Sequence, residues 1–175
     1  MKEVSILLSN LDINYIDFFL LGDDYGTQKG PILNPAIWKK FIKPRLQKLV
    51  SYIRSRGIPV ALHSCGNVTP LISDFIEIGI SILNPVQPRA MDLKFLKKEF
   101  GDKLCFFGTI DTQQTLPHGT PRDVESEVRI RIKEMGYNGG LILAPSQDLL
   151  PDVPDDNIFA FVNACKKYGS YYDDR

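Results

Sequence analysis

Five short apolar runs divide this chain: DFFLLG (17–22), PVALHS (59–64), ISILN (80–84), KLCFFG (103–108) and GGLILA (139–144). Each is continuous rather than alternating, which predicts strands covered on both faces. Helix start signals lie between them. Asn34-Pro35, Thr69-Pro70 and Thr120-Pro121 each set a good N-cap before a proline. Asp92 is placed to cap LKFLKKEF, and Gly57, Gly79, Gly101 and Gly136 supply helix stops. The first long helix carries Trp38, Phe41, Ile42, Leu46, Leu49, Val50 and Ile53 at helical spacing, a core-facing stripe. Its Pro44 predicts a kink. A last helix is expected over Asp155–Tyr168. The order is a helix followed by five strand–helix units. Strict alternation implies a parallel sheet with right-handed crossovers, which an open doubly wound sheet and a (β/α) barrel both satisfy.

A chain of 175 residues that is 43% hydrophobic suits one domain, residues 1–175, with a core of its own. Its 21 acidic and 21 basic residues cancel, which argues against nucleic acid or an acidic membrane surface as the main partner. No run reaches membrane-span length. The opening MKEVSILLSNLDINY lacks a small-residue cleavage site and is not read as a signal peptide. Cys65, Cys105 and Cys165 are odd in number and widely spaced, so no disulfide framework is expected and a reducing cytoplasm is the simple reading. Cys105 and Cys165 read as packing residues, and YYDDR at the end as a frayed tail.

Every predicted strand ends in a polar cluster: DDYGTQ, HSCGN, NPVQP, GTIDTQQ and APSQD. Parallel strands bring those ends to one rim, where such folds place their sites. His63 and Cys65, two apart at a strand end, share a face and offer two arms of a tetrahedral zinc site, although they equally suit rim residues that hydrogen-bond to their neighbours. Asp23 and Asp24 are adjacent, so one faces the pocket and the other caps the loop or pairs with Lys29. Two carboxylates near a cleft suit acid–base work. Tyr25 and Gln28 follow as candidate substrate contacts, with Gly26 and Gly30 serving the turn. Asn84 and Gln87 flank Pro85 and offer amides to a polar substrate, although Asn84 equally suits buried backbone groups at the strand end. In GTIDTQQ, Gly108 permits close backbone approach, Gln113 is a further contact, and Asp111 fits a base, a partner for His63 or a helix-cap acceptor. His118 reads as a surface loop residue. GYNGG (136–140) precedes a strand and lacks the phosphate-loop pattern.

Together GDDYGTQKGPILNPAIWKKFIKPRL, HSCGN, ILNPVQPRAMD, FFGTIDTQQTLPHGTPRDVESEV and GGLILAPSQDLLPDVPDDNI resemble the uroporphyrinogen decarboxylase superfamily, from about residue 10 to 169. The likeness is strongest to its methyltransferase-like branch, which includes cobamide-dependent methyltransferases acting on thiols. The resemblance implies a (β/α)8 TIM-type barrel, of which this chain carries the C-terminal half, about five strands. In those methyltransferases His-x-Cys supplies two zinc ligands and a later Cys the third, and zinc lowers the pKa of a substrate thiol that exchanges a methyl group with a corrinoid. The later position falls at Gln147 here, a poor zinc ligand but a candidate substrate contact. A third ligand is then expected from Asp23, Asp24, Asp111, a water or a second subunit.

The half of the family that is absent includes the Arg-rich segment with which decarboxylases grip porphyrinogen carboxylates. Lys29 and Arg89 are the nearest cations by sequence. Five strands also leave two open edges and an uncovered face. A homodimer, a higher oligomer or a complementary N-terminal half is expected to cover them. Three readings follow. The chain is a zinc-assisted methyltransferase acting between a corrinoid and a small-molecule thiol, a porphyrinogen decarboxylase, or a catalytically incomplete part of a split barrel.

Overall fold

The computed structural model describes residues 2–170, and the predicted frayed tail, 171–175, lies outside the described residues. Helix α1 (Lys2–Ser9) is followed by strand β1 (Phe19–Gly22), a small antiparallel hairpin β2 (Gly26–Thr27) and β3 (Gly30–Pro31), and helices α2 (Pro35–Phe41) and α3 (Lys43–Arg54). Then come β4 (Val60–His63), α4 (Ile72–Ile78), β5 (Ile82–Asn84), α5 (Leu93–Phe100) and β6 (Cys105–Phe107). Helices α6 (Thr115–His118) and α7 (Pro121–Met135), β7 (Leu141–Ile142) and α8 (Asp155–Tyr168) complete the order. All five predicted strands form one parallel sheet in the order β1-β4-β5-β6-β7. Neighbours in sequence are neighbours in space, as a barrel arc requires and a doubly wound sheet does not. The arc does not close.

The helix signals act locally as their chemistry predicts, with exceptions. Asn34 accepts from the Ala36 N–H, Asp92 from the Phe95 N–H, and Thr120 forms a reciprocal capping box with Asp123. Thr69-Pro70 opens a single 3-10 turn instead, capped from outside by Asn67, whose Oδ1 accepts the Thr69 N–H. Pro44 breaks the first long helix rather than kinking it. It has no N–H to continue the ladder, so α2 stops at Phe41 and Pro44 lies in the first turn of α3. Trp38, Leu46, Val50 and Ile53 are buried as the stripe predicts, while Phe41, at the break, is half exposed. His118 ends short α6 rather than lying in a loop, and is exposed.

The two faces of the sheet differ. Val60, Leu62, Leu83 and Phe106, with Phe19, Leu21 and Leu141, point to the helices and join the main core. Full burial of such side chains contributes roughly 1.5–3 kcal/mol each. Trp38 and Phe75 anchor that core in an edge-to-face pair, centroids 5.4 Å apart. A second cluster, Ile110, Leu116, Val124, Val128, Val153 and Ala164, binds α7 to α8. The opposite, concave face carries Leu20, Ala61, His63, Ile82, Asn84, Cys105 and Phe107; Leu20 is 47% exposed there, while Ala61 and Ile82 are buried. Cys105 is therefore half-buried on an open face, and all three cysteines are free thiols. No helix is long and apolar enough to cross a membrane among the described residues.

Candidate metal centre at the strand mouth

The loop after β4 is held at every backbone N–H from Ser64 to Asn67. Ser64 donates to the Asn84 carbonyl at 2.7 Å, and Cys65 donates to Asp24 Oδ1 at 2.7 Å. Gly66 donates to Gln87 Oε1 at 2.7 Å, and Asn67 to the Thr27 carbonyl at 2.7 Å. Four donors with four fixed acceptors leave the segment little freedom to move. Gly66, at φ +80°, permits this arrangement, since a Cβ there would stand 2.6 Å from the Thr27 carbonyl oxygen. Gly26 faces it in the same way, its own Cβ position 2.5 Å from the Cys65 carbonyl oxygen. Gly26 thus serves loop-on-loop packing rather than only a turn.

The loop brings three ligating groups together. Asp24, His63 and Cys65 place a carboxylate oxygen, an imidazole nitrogen and the thiol sulfur within 4.8 Å of one another. His63 Nε2 lies 3.6 Å from Cys65 Sγ and 3.9 Å from Asp24 Oδ1. Tetrahedral zinc with ordinary bond lengths separates its N and S ligands by about 3.6 Å and its N and O ligands by about 3.4 Å. The N–S edge already fits, and the carboxylate oxygen stands farther from the imidazole than a closed tetrahedral site places it. The residues present therefore suit zinc: a borderline ion, an N/O/S donor set, and two anionic ligands to balance its charge. Gln147, whose Nε2 donates to Cys65 Sγ at 3.5 Å, stands on the remaining side, beside Asp148. Burial pushes the Cys65 thiol up from its ordinary pKa, and the charges of Asp24 and Asp148 add to this while the Gln147 bond opposes it.

His63, Asn84 and Gln147 also line one cavity of about 340 Å³ with Leu20, Pro85, Phe107, Ala144, Pro145, Ser146 and Asp148. Its floor is apolar and its rim polar, the usual make-up of a small-molecule site. Leu20, Phe107 and Asp148 were not singled out from sequence. Leu20 and Phe107 read as ordinary strand residues until the open face is seen.

Other candidates are placed elsewhere. Asp23 turns from the cavity toward Tyr25, and no ion pair with Lys29 forms among the described residues. Tyr25 is 7% exposed and packs edge-to-face on Trp38, so its ring belongs to the core rather than the rim. Burial, with the Asp23 carboxylate accepting its hydroxyl, holds that phenol far above its ordinary pKa. Gln28 donates to Gln87 Oε1 at 3.1 Å, so these two amides brace the hairpin against the β4 loop. Asp111 is buried away from His63. It accepts from Arg89 Nε at 2.5 Å and from the Gln113 N–H at 2.8 Å, and its own N–H donates to Glu127. Asp111 is thus neither a partner of His63 nor a helix cap: α6 has Gln114 at its cap without a side-chain cap bond, and the Asp111 carboxylate closes a turn before it. The Gln113 side chain is exposed and outside the cavity. The partner of His63 is Asn84, whose Oδ1 lies 2.8 Å from Nδ1.

Residues 18–168 match the family described as uroporphyrinogen decarboxylase (URO-D). The chain is similar to the methylcobamide:CoM methyltransferase MtaA of Methanosarcina barkeri, at 30% identity over 138 residues, 78% of this chain and 38% of that protein. It is also similar to the uroporphyrinogen decarboxylase of Pseudoalteromonas translucida, at 25% identity over 98% of this chain and 50% of that protein. A solved methyltransferase from Methanosarcina mazei superposes with a TM-score of 0.72 at 26% identity, covering 96% of this chain and 47% of that chain. The chain spans half or less of the length of these relatives.

Proposed function

The chain belongs to the uroporphyrinogen decarboxylase (URO-D) family, and from that membership we propose that residues 1–175 form one domain, the C-terminal half of a methyltransferase-type barrel that holds zinc and works on a small thiol with a corrinoid as methyl partner. The carrying observation is the convergence of Asp24, His63 and Cys65 on one point at the mouth of the sheet. When bound, zinc supplies a Lewis acid that lowers the pKa of a substrate thiol and so makes it a nucleophile. The protein's own residues do the rest. Cys65 and Asp24 supply negative charge, His63 a neutral nitrogen, and the Asp24 carboxylate fixes the Cys65 backbone as well. Leu20, Pro85 and Phe107 give the cavity an apolar floor. Asp23 and Asp111 are left out of this chemistry because Tyr25 and Arg89 engage their carboxylates.

The decarboxylase reading asks for cations to hold acetate arms. No Lys or Arg lines the cavity among the described residues, and Arg89 is committed to Asp111. The split-barrel reading rests on the open concave face, which a second copy or a complementary N-terminal half covers.

Elemental analysis of the purified protein tests the proposal. About one zinc per chain is expected, lost in His63→Ala and in Cys65→Ala. Metal-free wild type, or zinc retained in both variants, overturns it.

A further inference from the structure

We infer that Asn84 is a positioning residue that selects the tautomer of His63, turning a bare Nε2 lone pair toward Asp24 and Cys65. Its use to the protein rests on the zinc reading above, but the tautomer itself does not.

The argument begins with strand register. His63 ends β4 and Asn84 ends β5, and the two are paired Cα partners in a parallel ladder, so their side chains leave the same face side by side. Asn84 Oδ1 lies 2.8 Å from His63 Nδ1. An amide oxygen and an amide nitrogen are close in shape, so the amide's orientation has to come from its other end. That end faces the Phe107 backbone carbonyl, with Nδ2 at 3.5 Å from the oxygen. A carbonyl oxygen only accepts, so the NH2 belongs there and Oδ1 belongs on His63. Oδ1 is itself acceptor-only, so His63 Nδ1 must carry the ring hydrogen. A neutral imidazole has one such hydrogen, which leaves Nε2 bare. Nε2 is the atom 3.6 Å from Cys65 Sγ and 3.9 Å from Asp24 Oδ1. A free histidine side chain favours the opposite tautomer, so the fold imposes this one. The chain of control runs from the Phe107 carbonyl through the Asn84 amide and the imidazole to the ligand point. An amide also does this without adding a third carboxylate beside Asp24 and Asp148.

The experiment is nitrogen-15 NMR of metal-free protein labelled at histidine, at a pH about two units above the ordinary imidazole value of about 6.5. Only His63 and His118 contribute signals, and His118→Gln assigns them. Wild type is expected to show hydrogen on His63 Nδ1 and a bare Nε2. Asn84→Ala is expected to return the hydrogen to Nε2, and Asn84→Asp, which keeps an acceptor oxygen, to leave it on Nδ1. Zinc affinity by chelator competition is expected to fall about 10–100-fold in Asn84→Ala and to be largely kept in Asn84→Asp. Hydrogen on Nε2 in wild type overturns the inference, and that spectrum needs no variant to fold. An unchanged tautomer in a folded Asn84→Ala also overturns it. An Nδ1 hydrogen in a wild type that takes up no zinc supports the inference and overturns the zinc reading instead.

Discussion

Cys65 is placed by backbone rather than by its own side chain. Its N–H donates to Asp24, the next N–H to Gln87, and Gly66 at φ +80° lies against the Thr27 carbonyl. Any side chain at position 66 meets both a left-handed backbone and that oxygen. Gly66→Ala is expected to destabilise the protein by about 1–2 kcal/mol from the backbone conformation alone, and to weaken zinc uptake by moving Cys65. Urea unfolding and metal titration check this, and wild-type stability with wild-type uptake would refute the packing described. The Gln147 amide sits on the Cys65 sulfur, its Nε2 donating at 3.5 Å. Among the described residues, Asp24 is the carboxylate grouped with His63 and Cys65.

Helix α4 is tied to the broken α2–α3 segment through Asp74. Its carboxylate is nearly buried, 2.8 Å from Lys43 Nζ and 3.2 Å from Lys39 Nζ, while Lys43 also reaches Glu77 at 2.7 Å. Burial alone would raise the Asp74 pKa, but the bonds from Lys43 and Lys39 outweigh it and leave it lowered. The sign follows. A folded-state pKa below the unfolded value of about 3.9 gives stability that is present above that pH and lost as pH falls through the folded value. Asp74→Asn is expected to cost about 1–2 kcal/mol at neutral pH, because solvent reaches Lys39 and screens part of the interaction. The gap between wild type and variant should narrow between neutral pH and an acid pH below the unfolded value. Thermal unfolding at both pH values measures it, and a gap that widens in acid would contradict the assignment. The same segment marks a limit of periodicity. The stripe from Trp38 to Ile53 was readable, but hydrophobic spacing does not register that a missing N–H at Pro44 ends one helix and starts another.

As a whole, the molecule is an arc of five parallel strands whose helix-covered side is a finished core and whose concave side is open. Leu20, Cys105 and Phe107 are partly exposed on that side, and β1 and β7 have one strand neighbour each among the described residues. Light scattering of the chain by itself is expected to give the mass of a dimer or a larger assembly. A monodisperse monomer would rule out self-association as the cover. Element order, parallel pairing and the gathering of His63, Asn84 and Gln147 at one mouth were legible in the sequence, because periodicity and caps are local and strict alternation admits few topologies. His63 and Cys65 do lie close, but Cys65 is in the loop beyond β4, so their nearness comes from that loop rather than from a shared strand face. What the sequence left open was which polar residue bonds which. Asp24 and not Asp23 faces the ligand point, Asn84 and not Asp111 holds His63, Gln28 finds Gln87, and Tyr25 sinks beside Trp38. Those choices depend on rotations at strand ends and on contacts between segments 21 to 82 positions apart, and no local rule of spacing carries that information; only the closing of the loops over the sheet decides it.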